Sequence, residues 1–99
     1  MSFWVYILTN KSNSVLYIGK TDDLHRRWQE HLQKVNPDSF TARYDIDKLV
    51  YYEKFQFAED AAAREKQLKG GSRQKKIDLI QKNNPLWNDL SSTKFNWEI

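Results

Sequence analysis

Two short runs near the start of the chain are almost unbroken by polar residues. Phe3 to Thr9 (FWVYILT) is rich in aromatic and β-branched side chains, and Val15 to Lys20 is similar. Asn10-Lys11-Ser12-Asn13 supplies turn chemistry between them, so the pair predicts a β-hairpin. Joining Thr9 to Ser14 fixes a register that sets Tyr6 directly opposite Tyr17, with Cβ atoms roughly 5 Å apart on one face. The pattern then changes period. Leu24, Trp28, Leu32 and Val35 recur at helical spacing behind Asp22 or Asp23 as N-cap, predicting a helix to about Lys34. Arg27 and His31, four apart, stack on one flank of that apolar stripe.

Pro37 and Ser39 mark a loop reaching to about Asp47, and Lys48 to Phe57 (KLVYYEKFQF) predicts a third strand. Ala58 to Lys69 has strong helix propensity and is stopped by Gly70-Gly71. Ser72 caps a further helix to about Lys82, which Asn83-Asn84-Pro85 ends. The expected order is β-β-α-β-α-α: an α+β domain with a three-stranded antiparallel sheet flanked by helices. Beyond a core of about 3–82, the segment 83–99 carries Trp87, Leu90, Phe95 and Trp97. It is too apolar for a free terminus and is expected to pack back, with a protein-partner surface as the alternative.

Composition narrows the picture. Ninety-nine residues make one domain, and 39% hydrophobic with 14% aromatic residues suffices for a compact core. With no cysteine, disulfides and thiolate metal sites are excluded. The longest apolar stretch, Phe3 to Leu8, is strand-sized, which argues against a membrane and makes a reduced cytoplasmic compartment the default. The net charge of +3 is unevenly spread: between Arg64 and Lys82 stand seven basic residues and two acidic ones. Arg64, Lys66, Lys69, Arg73, Lys75 and Lys76, with Arg26 on the first helix, are therefore candidate phosphate contacts. A solvated helix face is the plainer explanation.

Several side chains invite chemistry. Glu65 lies on the apolar side of its helix beside Ala61, Ala62 and Leu68. An inward carboxylate there either pairs with an arginine or binds a hard divalent cation, for which one carboxylate is enough. Arg27 can clamp a phosphate or pair with Glu30. His31, Tyr6, Tyr17 and Lys20 each have an ordinary structural explanation when taken singly.

Taken together, these residues resemble the GIY-YIG nuclease superfamily. The first motif reads Val5-Tyr6-Ile7, with Val in place of Gly, and the second is Tyr17-Ile18-Gly19-Lys20. The steps from Tyr17 to Arg27 and on to His31 are similar to those of intron-homing and excision-repair members, the latter through the N-terminal domain of the excision-repair C subunit. Ala63 to Gly70 (AREKQLKG), Ser39 to Tyr44, Lys48 to Glu53 and Pro85 to Leu90 resemble small stand-alone bacterial members. The resemblance implies a metal-dependent endonuclease hydrolysing DNA phosphodiesters, with DNA repair or recombination as its setting. By the same likeness, Tyr6 is the general base or the residue that positions the attacking water. Tyr17 and Lys20 assist, Arg27 holds the scissile phosphate, Glu65 holds one Mg²⁺ or Mn²⁺, and His31 is an accessory contact. Many members place an Asn near the metal late in the domain, and Asn83 and Asn84 are the candidates for it. Longer members choose their target with a separate DNA-binding domain, so structure-selective or weakly selective cutting is expected of this chain. The alternative is a non-catalytic or weakly active nucleic-acid-binding module that recruits a partner.

Overall fold

Strand β1 (Phe3–Thr9) is apolar on both sides because it is the middle strand. The computed structural model describes residues 2–33 and 44–91, the side chains of 31–33 excepted. Within it, β2 (Leu16–Thr21) and β3 (Lys48–Phe55) flank β1 in an antiparallel sheet of order β2-β1-β3. Helix α1 (Leu24–Gln33) lies between the hairpin and β3 in sequence, and α2 (Ala58–Gly70) and α3 (Arg73–Asn83) follow the sheet. The element order is the predicted one.

Each face of the sheet has its own core. Val5, Ile7, Ile18 and Val50 pack with Ala61 and Leu68 of α2 and Ile80 of α3. Trp4, Tyr6, Leu8 and Leu49 pack with Leu24 and Trp28 of α1. Burying side chains such as Leu24 and Trp28, one turn apart, stabilises by roughly 2 kcal/mol each. The helix starts are built as their sequences foretell. Asp23 Oδ1 accepts the Arg26 N–H at 3.0 Å, and Ser72 Oγ accepts the Lys75 N–H at 3.1 Å.

The hairpin register differs from the predicted one. Thr9 pairs with Leu16, Leu8 with Tyr17 and Tyr6 with Gly19. The loop is longer because Asn10 takes over part of the ladder: its Oδ1 accepts the Ser14 N–H at 2.8 Å and the Val15 N–H at 3.1 Å. The Thr9 hydroxyl donates to the Val15 carbonyl at 2.7 Å, and Asn13 turns the chain at φ 59. Tyr6 and Tyr17 are therefore diagonal, not opposed. A slip of two residues leaves every side chain on its own face, so both phenols still share one side of the sheet.

The register of β1 with β3 steps between Ile7 and Leu8, leaving Val50 without a direct partner on β1. Its carbonyl accepts from Asn84 Nδ2 at 3.1 Å. The segment after α3 folds back on the same strand: the Leu49 N–H donates to Asp89 Oδ1 at 3.2 Å, and the Leu90 N–H donates to the Leu49 carbonyl at 2.7 Å. Trp87 and Leu90 pack on the two cores. Phe95 and Trp97, assigned with them to the tail, lie outside the described residues.

Candidate active site

Tyr6 is 2% exposed, and Gly19 explains how its ring is accommodated. A Cβ placed on Gly19 would stand 2.5 Å from Tyr6 Cζ and closer still to the hydroxyl. The ring thus lies across β2 in space that any side chain at position 19 would fill. The requirement for glycine here is one of close approach and not of backbone angle, since no glycine in the described residues has positive φ.

Arg27, on the inward flank of α1, hydrogen-bonds the Tyr6 hydroxyl. It also reaches Glu30 through Nη1 at 3.6 Å, so the i+3 pair and the tyrosine contact coexist. Burial raises the Tyr6 pKa above its ordinary value of 10.0; the bond from Arg27 opposes that shift, while the charges of Tyr17 and Glu65 add to it. The phenol is consequently neutral at pH 7. Arg27 is held more firmly protonated, chiefly by its bond to Tyr6.

Glu65 comes from the other side. It sits on α2 between the buried Ala61 and Leu68, which pack on the face opposite Tyr6. Its side chain is 18% exposed and meets the Lys69 ammonium at 3.4 Å; no arginine pairs with it among the ion pairs of the described residues. Its charge nevertheless reaches the Tyr6 hydroxyl. Lys20 stands opposite Val5, on the α2 face, and is exposed. A cavity of about 280 Å³ opens there, lined by Phe3, Lys20, Thr21, Asp22, Ala58 and Ala61. The candidate residues lie on both sides of the sheet near the outer strand β2, with Tyr6, Tyr17 and Arg27 on one face and Lys20 and Glu65 on the other. Strand-order reasoning alone does not show this; the signal was Gly19, whose small size lets Tyr6 cross the strand.

The GIY-YIG catalytic domain model matches residues 2–78. The chain belongs to that family. It is a nuclease family, and the tyrosine of this chain's first motif rests on the glycine of its second. Relatives include the UPF0213 protein CPE1444 of Clostridium perfringens (strain 13 / Type A), 36% identical over 77 residues, or 78% of this chain and 81% of that protein. Among solved structures, the solution NMR structure of the UPF0213 protein BH0048 from Bacillus halodurans is similar with a TM-score of 0.59 at 28% identity. That match covers 97% of this chain and 100% of that one.

The remaining candidate residues of this GIY-YIG chain fall in several places. His31 lies in α1, but its side chain is outside the described residues. Arg26 pairs with Asp22 at 3.4 Å on the surface. Lys66 and Lys75 are exposed, Lys69 reaches Glu65, and Lys76 donates to the Gly71 carbonyl at 2.8 Å. Arg73 donates to the Ser14 carbonyl at 2.8 Å, tying the start of α3 to the hairpin loop. Arg64 is turned toward β3, where its Nε meets Glu53 Oε2 at 2.7 Å. Asn84 spends its amide on Val50 and on both the carbonyl and the N–H of Asn88, while Asn83 donates to the Leu79 carbonyl. Sequence reasoning passed over Glu53 and Tyr51; a carboxylate directly after the apolar run Leu49 to Tyr52 was the available signal.

No cluster of three or more His, Cys, Asp or Glu that could hold a metal occurs among the described residues. The donor chemistry still fits a hard cation bound mainly through water and substrate. Glu65 offers one accessible carboxylate whose present partner is an exposed lysine, and magnesium commonly takes one or two carboxylates and keeps several waters.

Proposed function

We propose that this chain is a divalent-metal-dependent endonuclease that hydrolyses DNA phosphodiesters with structural or weak selectivity, using Tyr6, Tyr17, Lys20, Arg27 and Glu65. The observation that carries the reading is the pairing of Tyr6 with Arg27 over Gly19, which clears the space for the tyrosine ring, within reach of the Glu65 charge. Arg27 binds the scissile phosphate through its planar fork of donors and stabilises the charge that develops there. Tyr6, kept protonated by burial, orients the attacking water by hydrogen bonding; the guanidinium beside it favours the phenolate should the proton leave. Tyr17 and Lys20 support the reacting groups by hydrogen bonding and charge. Glu65 would hold one Mg²⁺ or Mn²⁺, which when bound supplies Lewis-acid stabilisation of the leaving 3′-oxygen. The exposed lysines of α2 and α3 follow the phosphate backbone, contacts that position DNA without reading its sequence.

The neutral Tyr6 phenol favours one other reading, a module that binds nucleic acid without cutting it. The deciding experiment incubates the protein with labelled single-stranded, duplex, flap and junction DNAs in Mg²⁺, Mn²⁺ or EDTA, alongside Tyr6→Phe, Arg27→Ala and Glu65→Gln. Cleavage that needs the metal and is lost in the variants supports the nuclease. Cleavage that survives all three substitutions sinks the site assignment, and binding without cutting selects the module.

A further inference from the structure

We infer that Arg64, gripped by Glu53 and Tyr51 of β3, is a positioning residue that fixes the rotation of α2 and so aims Glu65 toward Tyr6. The inference rests on the reading of Glu65 as the metal-binding carboxylate.

Arg64 and Glu65 are consecutive, so their side chains leave the helix about 100° apart. Ala61 and Leu68 form the buried stripe beneath them. Arg64 leaves that stripe on the side of β3, where it meets Glu53, and Glu65 leaves it on the other flank. The grip on Arg64 is many-sided. Nε donates to Glu53 Oε2 at 2.7 Å and Nη1 donates to Gln67 Oε1 at 2.7 Å, while the Tyr51 hydroxyl stands beside both Arg64 and Glu53 and feels their charges. Glu53 stands opposite Val5 and Tyr51 opposite Ile7, so both rise from the face on which α2 packs.

The other anchors of α2 are few, its only buried residues being Ala61 and Leu68. Phe57, its N-cap, makes no side-chain capping bond, and the central packing residue is the small Ala61. A partly exposed ion pair adds little stability by itself. The value of this one is directional: two donors at fixed angles go to two partners on different elements, which a lysine cannot reproduce. The same commitment engages the guanidinium within the chain, which distinguishes Arg64 from the exposed Lys66.

The test compares the full chain with Arg64→Lys, Glu53→Gln and the exchanged pair Glu53→Arg with Arg64→Glu. Mn²⁺ affinity is read without DNA, from paramagnetic broadening of amide signals around Glu65; kcat and KM are read on the best DNA substrate. Loss of a group that orients a metal ligand costs on the order of 10–100-fold in metal affinity or activity. We expect that loss in Mn²⁺ affinity and kcat for both single variants, with KM and its salt dependence unchanged and part of the loss restored in the exchanged pair. If Glu53→Gln does not fold, Tyr51→Phe removes one hydroxyl from the same grip and is read identically. A higher KM with a shallower salt slope in Arg64→Lys makes Arg64 a DNA contact and overturns the proposal. A lower Tm with unchanged Mn²⁺ affinity and kcat makes the grip merely structural and also overturns it. Failure of the underlying reading looks different: the unmodified protein then binds no Mn²⁺ and cuts nothing.

Discussion

The two outer strands of the sheet are treated in opposite ways. Along β3 the outward polar groups are occupied by the chain itself: Leu49 by Asp89 and Leu90, and the Val50 carbonyl by Asn84. Along β2 the chain invests in access, with Gly19 and the Tyr6 ring laid across it and a cavity beside Lys20. An uncovered strand edge is a liability unless something uses it. The difference teaches that, on the function proposed, one edge holds the fold closed while substrate is taken on the side of the other. The Arg64 grip is the single proposed route by which the β3 side influences chemistry on the β2 side.

The contrast predicts which measurements move together. The largest effect belongs to the β2 side: Arg27→Ala should lower kcat by about 10²–10³-fold, the cost of losing one preorganised donor, with little change in Tm. A Tm loss without a rate loss would remove Arg27 from the chemistry. Next comes Gly19→Ala. The Tyr6 ring must swing aside, which a side-chain tip can do for about 1–3 kcal/mol of stability. Displacing the group by an ångström costs far more in rate, about 10²-fold. Thermal unfolding and steady-state cleavage of the same sample test both halves, and near-normal activity would show that the ring's place over Gly19 is immaterial.

The β3 side should show the reverse. Asn84→Ala leaves the Val50 carbonyl and two groups of Asn88 without their partner, at a cost of about 1–3 kcal/mol read in urea or thermal unfolding. Its kcat in the folded fraction is expected to match that of the unmodified protein. A specific fall in kcat would mean that Asn84 serves the site and not only the edge.

Much of this architecture was legible beforehand, and the omissions have a common cause. Apolar patterning, helix propensity and capping residues together gave all six elements, because all three depend on near neighbours along the chain. The hairpin register was misplaced by two residues because a side chain, Asn10, substituted for backbone in the turn. The inward position of Glu65 followed from Ala61 and Leu68 on the same helix. The reach of its charge to Tyr6 did not, since that depends on how far one ring leans across another strand. The pairing of Arg64 with Glu53 was not legible, because the two are eleven residues apart on different elements and a charge run says nothing of which members are already paired.

The smallest expected effect separates the two sides by pH. Burial raises the pKa of Tyr6, Tyr51 and Tyr52 above 10.0 in the folded chain. Each folded phenol therefore keeps its proton at pH values where the unfolded one has lost it. The resulting stability is fully present below pH 10 and is lost as the pH rises from there through the folded values. Unfolding free energy measured in urea should accordingly be independent of pH, as far as these groups go, below pH 10 and decline above it. Tyr52→Phe, from the β3 side, should flatten that decline without altering kcat at neutral pH, because burial alone raises its pKa and the chemistry does not use its hydroxyl. Tyr6→Phe should flatten the decline and also lower kcat. If the two variants behaved alike at neutral pH, with both losing activity or neither, the division of labour between the sheet edges would not hold for the residues at its centre.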